Sequence, residues 1–109
     1  MTEIIITTGE EIPGQKIAKI LGIARGNTVR ARNIGRDIGA GFKSLVGGEI
    51  KTYSEMTSQS RDEAFNRMVN DAVKMGADAV IGMRFSTSMV MQGASEMLAF
   101  GTAVKVKKG

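Results

Sequence analysis

The stretch from Ser60 to Phe85 limits most sharply what this chain can fold into. Its first part reads SRDEAFNRMVNDAVKMG, in which Ala64, Phe65, Met68, Ala72 and Met75 recur three or four residues apart. That spacing predicts one apolar face of an α-helix, with Arg61, Asp62, Asn66, Arg67, Asn70, Asp71 and Lys74 on the solvated side. Gly76 suits the left-handed conformation that ends a helix. Beyond it the period becomes two, and Ala79, Ile81, Met83 and Phe85 are expected on one face of a strand. A helix followed by a strand then supplies most of the core.

The remaining elements follow from local chemistry. Glu3 to Thr7 is a short β-branched run closed by a turn-rich loop through Pro13-Gly14, and Gln15 to Val29 is a longer strand. On that strand, strict alternation groups Ile17, Leu21 and Ile23 on one face and Ala18, Ile20 and Ala24 on the other. Gly22 and Gly26 mark a bulge or a close backbone contact. Asn33 to Gly48 has helical spacing at Ile34, Ile38, Phe42, Leu45 and Val46, with Asn33 as N-cap. Gly35, Gly39 and Gly41 each cost that helix about 0.8–1.0 kcal/mol relative to Ala, which implies a close approach to another backbone. Lys51 to Tyr53 then links it to the main helix. The main helix is expected from Ser54 to Met75, with a start at the capping box Ser60-x-x-Glu63 as the alternative. Asp78 to Met91 and Glu96 to Lys107 form a hairpin joined near Gln92 to Ser95. On its second strand Leu98, Phe100, Val104 and Val106 make a bulky face, and Met97, Ala99, Gly101 and Ala103 a small one. A small apolar second face implies close contact with a neighbouring subunit or with the chain's own helix. The 109 residues show no repeat or linker and are expected to form one α+β domain, residues 1–109.

Composition excludes several chemistries. There is no Cys and no His, which removes thiol nucleophiles, disulfides, thiolate metal sites and the commonest general base and transition-metal ligand. A formal charge of +4 is spread from Lys16 to Lys108, with one tight cluster at Lys105, Lys107 and Lys108. One Tyr and no Trp leave few stacking platforms, so nucleic acid is disfavoured as a partner. The N-terminus lacks the basic and apolar regions of a signal peptide, and no apolar run reaches the length of a membrane span. A cytoplasmic location is expected.

Arg36-Asp37, Gly47-Gly48, the run Gly76-Ala-Asp-Ala-Val-Ile-Gly-Met-Arg-Phe85 and Gly101-Thr-Ala-Val104 resemble the YbjQ-like family of small prokaryotic proteins. With the order strand, strand, helix, helix, strand, strand, the resemblance covers nearly the whole chain. It implies a subunit related to the dodecin-like fold with an antiparallel-rich sheet, a ring-shaped homopentamer, and a heavy-metal-binding label.

Candidate chemistry is sparse. For a metal, the remaining soft donors are the thioethers of Met89 and Met91, expected on one strand face, with Met97 across the turn; together they could hold Cu(I). Methionine more commonly fills irregular apolar gaps. Gly39-Ala-Gly41-Phe-Lys43-Ser44 lacks the glycine that a phosphate-binding loop needs immediately before its lysine. No nucleophile-plus-base arrangement is visible, so no catalytic residue and no cofactor are expected. Asp78, between helix stop and strand, is suited to accept bonds from nearby backbone amides. The leading reading is a non-enzymatic ring-forming homo-oligomer holding a small ligand between subunits, with Arg36, Asp37, Tyr53 and Arg84 as candidate ligand-binding residues. The alternatives are a metal-binding protein using methionine or carboxylate ligands, and an enzyme with an inter-subunit active site.

Overall fold

The computed structural model describes residues 4–31 and 48–109, with side-chain surroundings for residues 4–29 and 57–109. The elements are β1 (Ile5–Ile6), β2 (Gln15–Ala31), α1 (Gly48–Lys74), β3 (Ala79–Met91) and β4 (Ala94–Lys108). One four-stranded sheet runs in the order β1-β3-β4-β2. The pairs β2/β4 and β3/β4 are antiparallel and β1/β3 is parallel, so the fold is α+β with a mixed, antiparallel-rich sheet. The expected first helix, Asn33 to Gly48, lies outside the described residues except for Gly48, which begins α1.

The main helix is longer than either expected start. Lys51 to Tyr53 are helical rather than a link, because no Gly or Pro interrupts residues 49–59. Ser60 is not a cap. It is buried within the helix, and its carbonyl accepts a hydrogen bond from the Thr28 hydroxyl at 3.1 Å. The helix ends as expected at Gly76, φ 83°. Gly76 N donates to Val73 O and Ala77 N to Ala72 O, both at 3.0 Å, the paired bonds of a Schellman stop.

The helix lies over β2 and β4. Ala64, Met68 and Ala72 are fully buried against Ala24, Val80, Met83, Met97, Ala99 and Ala103, with Phe65, Val69 and Met75 partly buried beside them. Full burial of a side chain such as Met68 stabilises the fold by about 1.5–3 kcal/mol. Phe65, expected to be buried beside Met68, is partly buried in the single chain. Two residues of the solvated helix side also reach β2. The Asp71 carboxylate accepts from Arg25 N at 3.0 Å, and Arg67 Nη1 donates to Asn27 O at 2.6 Å. These bonds occupy backbone groups of an edge strand that would otherwise invite pairing.

Register shifts in β2 and β3 alter the predicted faces. On β3 a register shift between Ile81 and Arg84 accompanies Gly82 at φ 62°. Ala79 and Ile81 therefore pack on one side of the sheet, whereas Met83 joins the helix-side core. On β2 the shifts fall between Ile17 and Lys19 and between Ile20 and Gly22. Each inserts one extra residue, so Ile17, Ile20 and Ile23 share a face in place of the strict alternation expected.

Candidate functional surface

The side of the sheet away from α1 carries exposed apolar side chains. At one end Ile12 folds over Ala79 and Val104, with Ile81 and Val106 beside them. The chain before Ile12 is tied down by the β3 bulge: Met83 N donates to Thr7 O at 3.0 Å and Gly82 N to Gly9 O at 2.8 Å. Residues 9–17 line an open recess of about 980 Å³.

Ile17, Ile20 and Ile23 stand opposite Val106, Val104 and Thr102 on this same side. They are 37%, 65% and 67% exposed. Below them Arg25, Phe100 and Arg84 form one row, since Phe100 pairs with Arg25 on β2 and with Arg84 on β3. Directly opposite residues share a face with Cβ atoms about 4.5–5.5 Å apart, so the ring is flanked by two arginine stems. Arg84 is held in place, with Nη1 donating to Thr8 O at 2.9 Å and to Met83 O at 2.8 Å.

Of the four candidate ligand residues, Arg84 is thus placed on this surface. Arg36 and Asp37 lie outside the described residues, and Tyr53 is an α1 residue whose side chain is likewise outside them. The sequence missed Arg25 and Phe100 as neighbours of Arg84. The row depends on strand register, and Phe100 read simply as an apolar member of its own strand.

Met89 and Met91 do not share one strand face as expected. Met97 is buried, and its sulfur accepts from the Thr87 hydroxyl at 3.3 Å. Met89 pairs with Ser95 and Met91 with Ala94 across a register shift, which breaks the alternation that would keep them on one face. Met89 is 77% exposed. Among the described residues no group of three or more Asp or Glu could hold a metal ion, and the sequence has no Cys or His. The described residues thus lack the thiolate and imidazole ligands that heavy-metal ions favour.

Asp78 is structural in its contacts. Its Oδ2 accepts from Val106 N at 3.0 Å, and Oδ1 lies 3.5 Å from Lys105 Nζ. The Val106 amide first, and then the Lys105 ammonium, hold its pKa below the usual carboxylate value. A carboxyl so held stays ionised at neutral pH and is a poor proton carrier. Among the described residues no helix is long and apolar enough to cross a membrane.

A family model described as “Putative heavy-metal-binding”, YbjQ, matches residues 4–107. A “UPF0145 protein” of Thermosipho africanus is 58% identical over 104 residues, covering 95% of this chain and 96% of that one. A “UPF0145 protein” of Archaeoglobus fulgidus is 56% identical over 105 residues, covering 96% and 97%, so relatives occur in both bacteria and archaea. A crystal structure of a protein of unknown function from Pediococcus pentosaceus, assigned to the DUF74 family, superposes with a TM-score of 0.64. It is 19% identical, and the match covers 95% of this chain and 98% of that one. At that identity the likeness speaks for the fold alone.

Proposed function

This chain belongs to the YbjQ family, and from that premise we propose that it works as a non-enzymatic homo-oligomer whose subunits meet across the open side of the sheet and hold a small ligand between them. The observation that carries this reading is the line Ile17, Ile20 and Ile23, presented to water on a strand that has its own helix on the other side. A second copy seated there would remove that apolar surface from water, at roughly 25 cal/mol per Å² buried. The shape agrees. The radius of gyration is 17.7 Å with extents of 57 × 24 × 23 Å, against about 13 Å for a compact chain of this size.

A head-to-tail contact between unlike surfaces closes into a ring when its rotation allows. The ring-shaped homopentamer implied by the family resemblance is the assembly proposed. Arg84, with Arg25 and Phe100 beside it, is the ligand-facing row proposed for each subunit, to which Arg36, Asp37 and Tyr53 would add. Sedimentation velocity tests the assembly, and native against denaturing mass spectrometry tests for a retained small molecule. A purified chain that stays monomeric at micromolar concentration would refute the reading.

A further inference from the structure

We propose that Lys16, Lys19, Lys105 and Lys107 form a binding site for a small oligophosphate, independent of the oligomer reading. In sequence the basic cluster is confined to the C-terminal end. Strand pairing changes this by setting Lys16 opposite Lys107 and Lys19 opposite Lys105. Three residues apart on a regular strand, Lys16 and Lys19 would point to opposite sides. The register shift between Ile17 and Lys19 adds the one residue that returns Lys19 to the side of Lys16. Lys105 and Lys107 continue the alternation of Ala99, Gly101 and Ala103, so all four lie on the side of the sheet that carries α1. All four are exposed.

Like charges directly opposite on neighbouring strands repel, and here two such pairs stand one above the other. Asp78, 3.5 Å from Lys105, offsets one charge. Among the described residues Lys16, Lys19 and Lys107 have no ion pair, although Glu10 and Glu11 line the same recess as Lys16. The arrangement costs the free chain stability and is relieved by a multiply charged anion. The footprint favours a short one, about 5 Å across the strands and about 7 Å along them. The next rows, Gly22 with Ala103 and Ala24 with Gly101, carry neither charge nor aromatic ring. A nucleic-acid strand would need a longer basic track and stacking platforms. Lysine serves a phosphate as a point charge and needs no fixed fork geometry.

The test is calorimetric titration at low ionic strength with inorganic tripolyphosphate and, separately, a short single-stranded oligonucleotide. It uses the wild-type protein, the double variant Lys16→Gln with Lys107→Gln, and Lys74→Gln as control. Tripolyphosphate is expected to bind wild type and Lys74→Gln alike, and at least about tenfold more weakly to the double variant. Binding should fall steeply with added salt. Without ligand, the double variant should melt at a higher temperature than wild type, because a repulsive pair is gone. Tripolyphosphate binding unchanged in the double variant would overturn the proposal. So would no binding at low salt, or binding of the oligonucleotide but not of tripolyphosphate.

Discussion

Gly26 on β2 and Met68 on α1 touch backbone to backbone: a Cβ added to the glycine would overlap the Met68 amide nitrogen. The same atom would lie 2.5 Å from Ala64 O and 2.6 Å from the Arg67 carbonyl carbon. Helix backbone cannot move aside as a flexible side chain can. This contact fixes how closely α1 settles on the edge strand, and Ala64 and Ala72 keep the rest of the helix equally low.

Gly26→Ala is therefore expected to destabilise the protein by about 1–3 kcal/mol through overpacking. Gly9→Ala is the matched control, since its Cβ would meet nothing nearer than 3.5 Å and should change little. Urea unfolding followed by circular dichroism measures both. A Gly26→Ala protein as stable as wild type would show that the helix has room to lift.

Ala99 and Ala103 pack on the chain's own helix, one of the two neighbours expected for their face, whereas Gly101 between them is crowded by β3. A Cβ there would overlap Val80 Cγ1 and would lie 3.1 Å from Ile81 O, so the crowding comes from the β3 bulge within the same chain. Gly101→Val should thus damage the subunit fold itself, and not chiefly an interface between subunits. Gly101→Ala should also destabilise, and combining it with Val80→Ala should recover part of the loss. The cycle is expected to show a coupling of about 0.5–3 kcal/mol. Strict additivity in unfolding free energies would mean that the two side chains do not compete for the same space.

Local pattern carried the helix face, its glycine stop and the hairpin, because each is set by residues within a few positions of one another. Ala64, Met68 and Ala72 needed only the 3.6 period, and the small face at Ala99, Gly101 and Ala103 needed only the period of two. The bulges in β2 and β3 were not legible. A bulge is a mismatch between two strands, and the period of either strand alone does not contain it. Strict alternation therefore groups Ile20 with Ala24 and sets Lys19 on the opposite side from Lys16, and the register shifts in β2 reverse both. The alternative start at Ser60 fails for a related reason: its capping pattern is local, whereas its burial and its bond to Thr28 come from a strand thirty-two residues away.

Asp78 predicts a pH dependence. Its pKa is lowered in the folded chain by the Val106 amide and then by Lys105. A lowered folded-state pKa means that the unfolded chain binds the proton more readily. The contribution of Asp78 to stability is therefore fully present above the ordinary carboxylate range and is lost as pH falls through its folded value. Asp78→Ala should lower the melting temperature at neutral pH, and the gap to wild type should close as the solution is acidified. A gap that is constant across the acid range would mean that the carboxylate charge plays no part.

The donor set predicts the outcome of metal titrations. Equilibrium dialysis with Zn(II) and Ni(II) should show no site of micromolar affinity, because imidazole and thiolate are absent. Cu(I) is the more searching case, since Met89 and Met91 are exposed thioethers. Their separation by a register shift leads to weak binding at most, which Met89→Leu with Met91→Leu should leave unchanged. One tight Zn(II) per chain would contradict this account. So would Cu(I) binding that disappears in the double variant.

The line of isoleucines gives the last prediction. Ile20 and Ile23 are exposed on the side opposite α1, so an acidic residue there meets water in the lone subunit and disturbs no core contact. In an assembled ring the same residue would bring an unpaired charge into an apolar contact, which costs far more than a surface change. Ile20→Asp with Ile23→Asp should then leave the circular dichroism spectrum intact while shifting sedimentation from the oligomer to a slower species. Because the contact recurs at every equivalent interface of a cyclic assembly, the loss should be sharp. Arg25→Glu, on the same strand one row beyond Ile23, separates apolar from electrostatic contact: it should weaken ligand retention more than assembly. An oligomer that survives both aspartates with unchanged size would show that the subunits meet elsewhere, and the open face would need another explanation for its isoleucines.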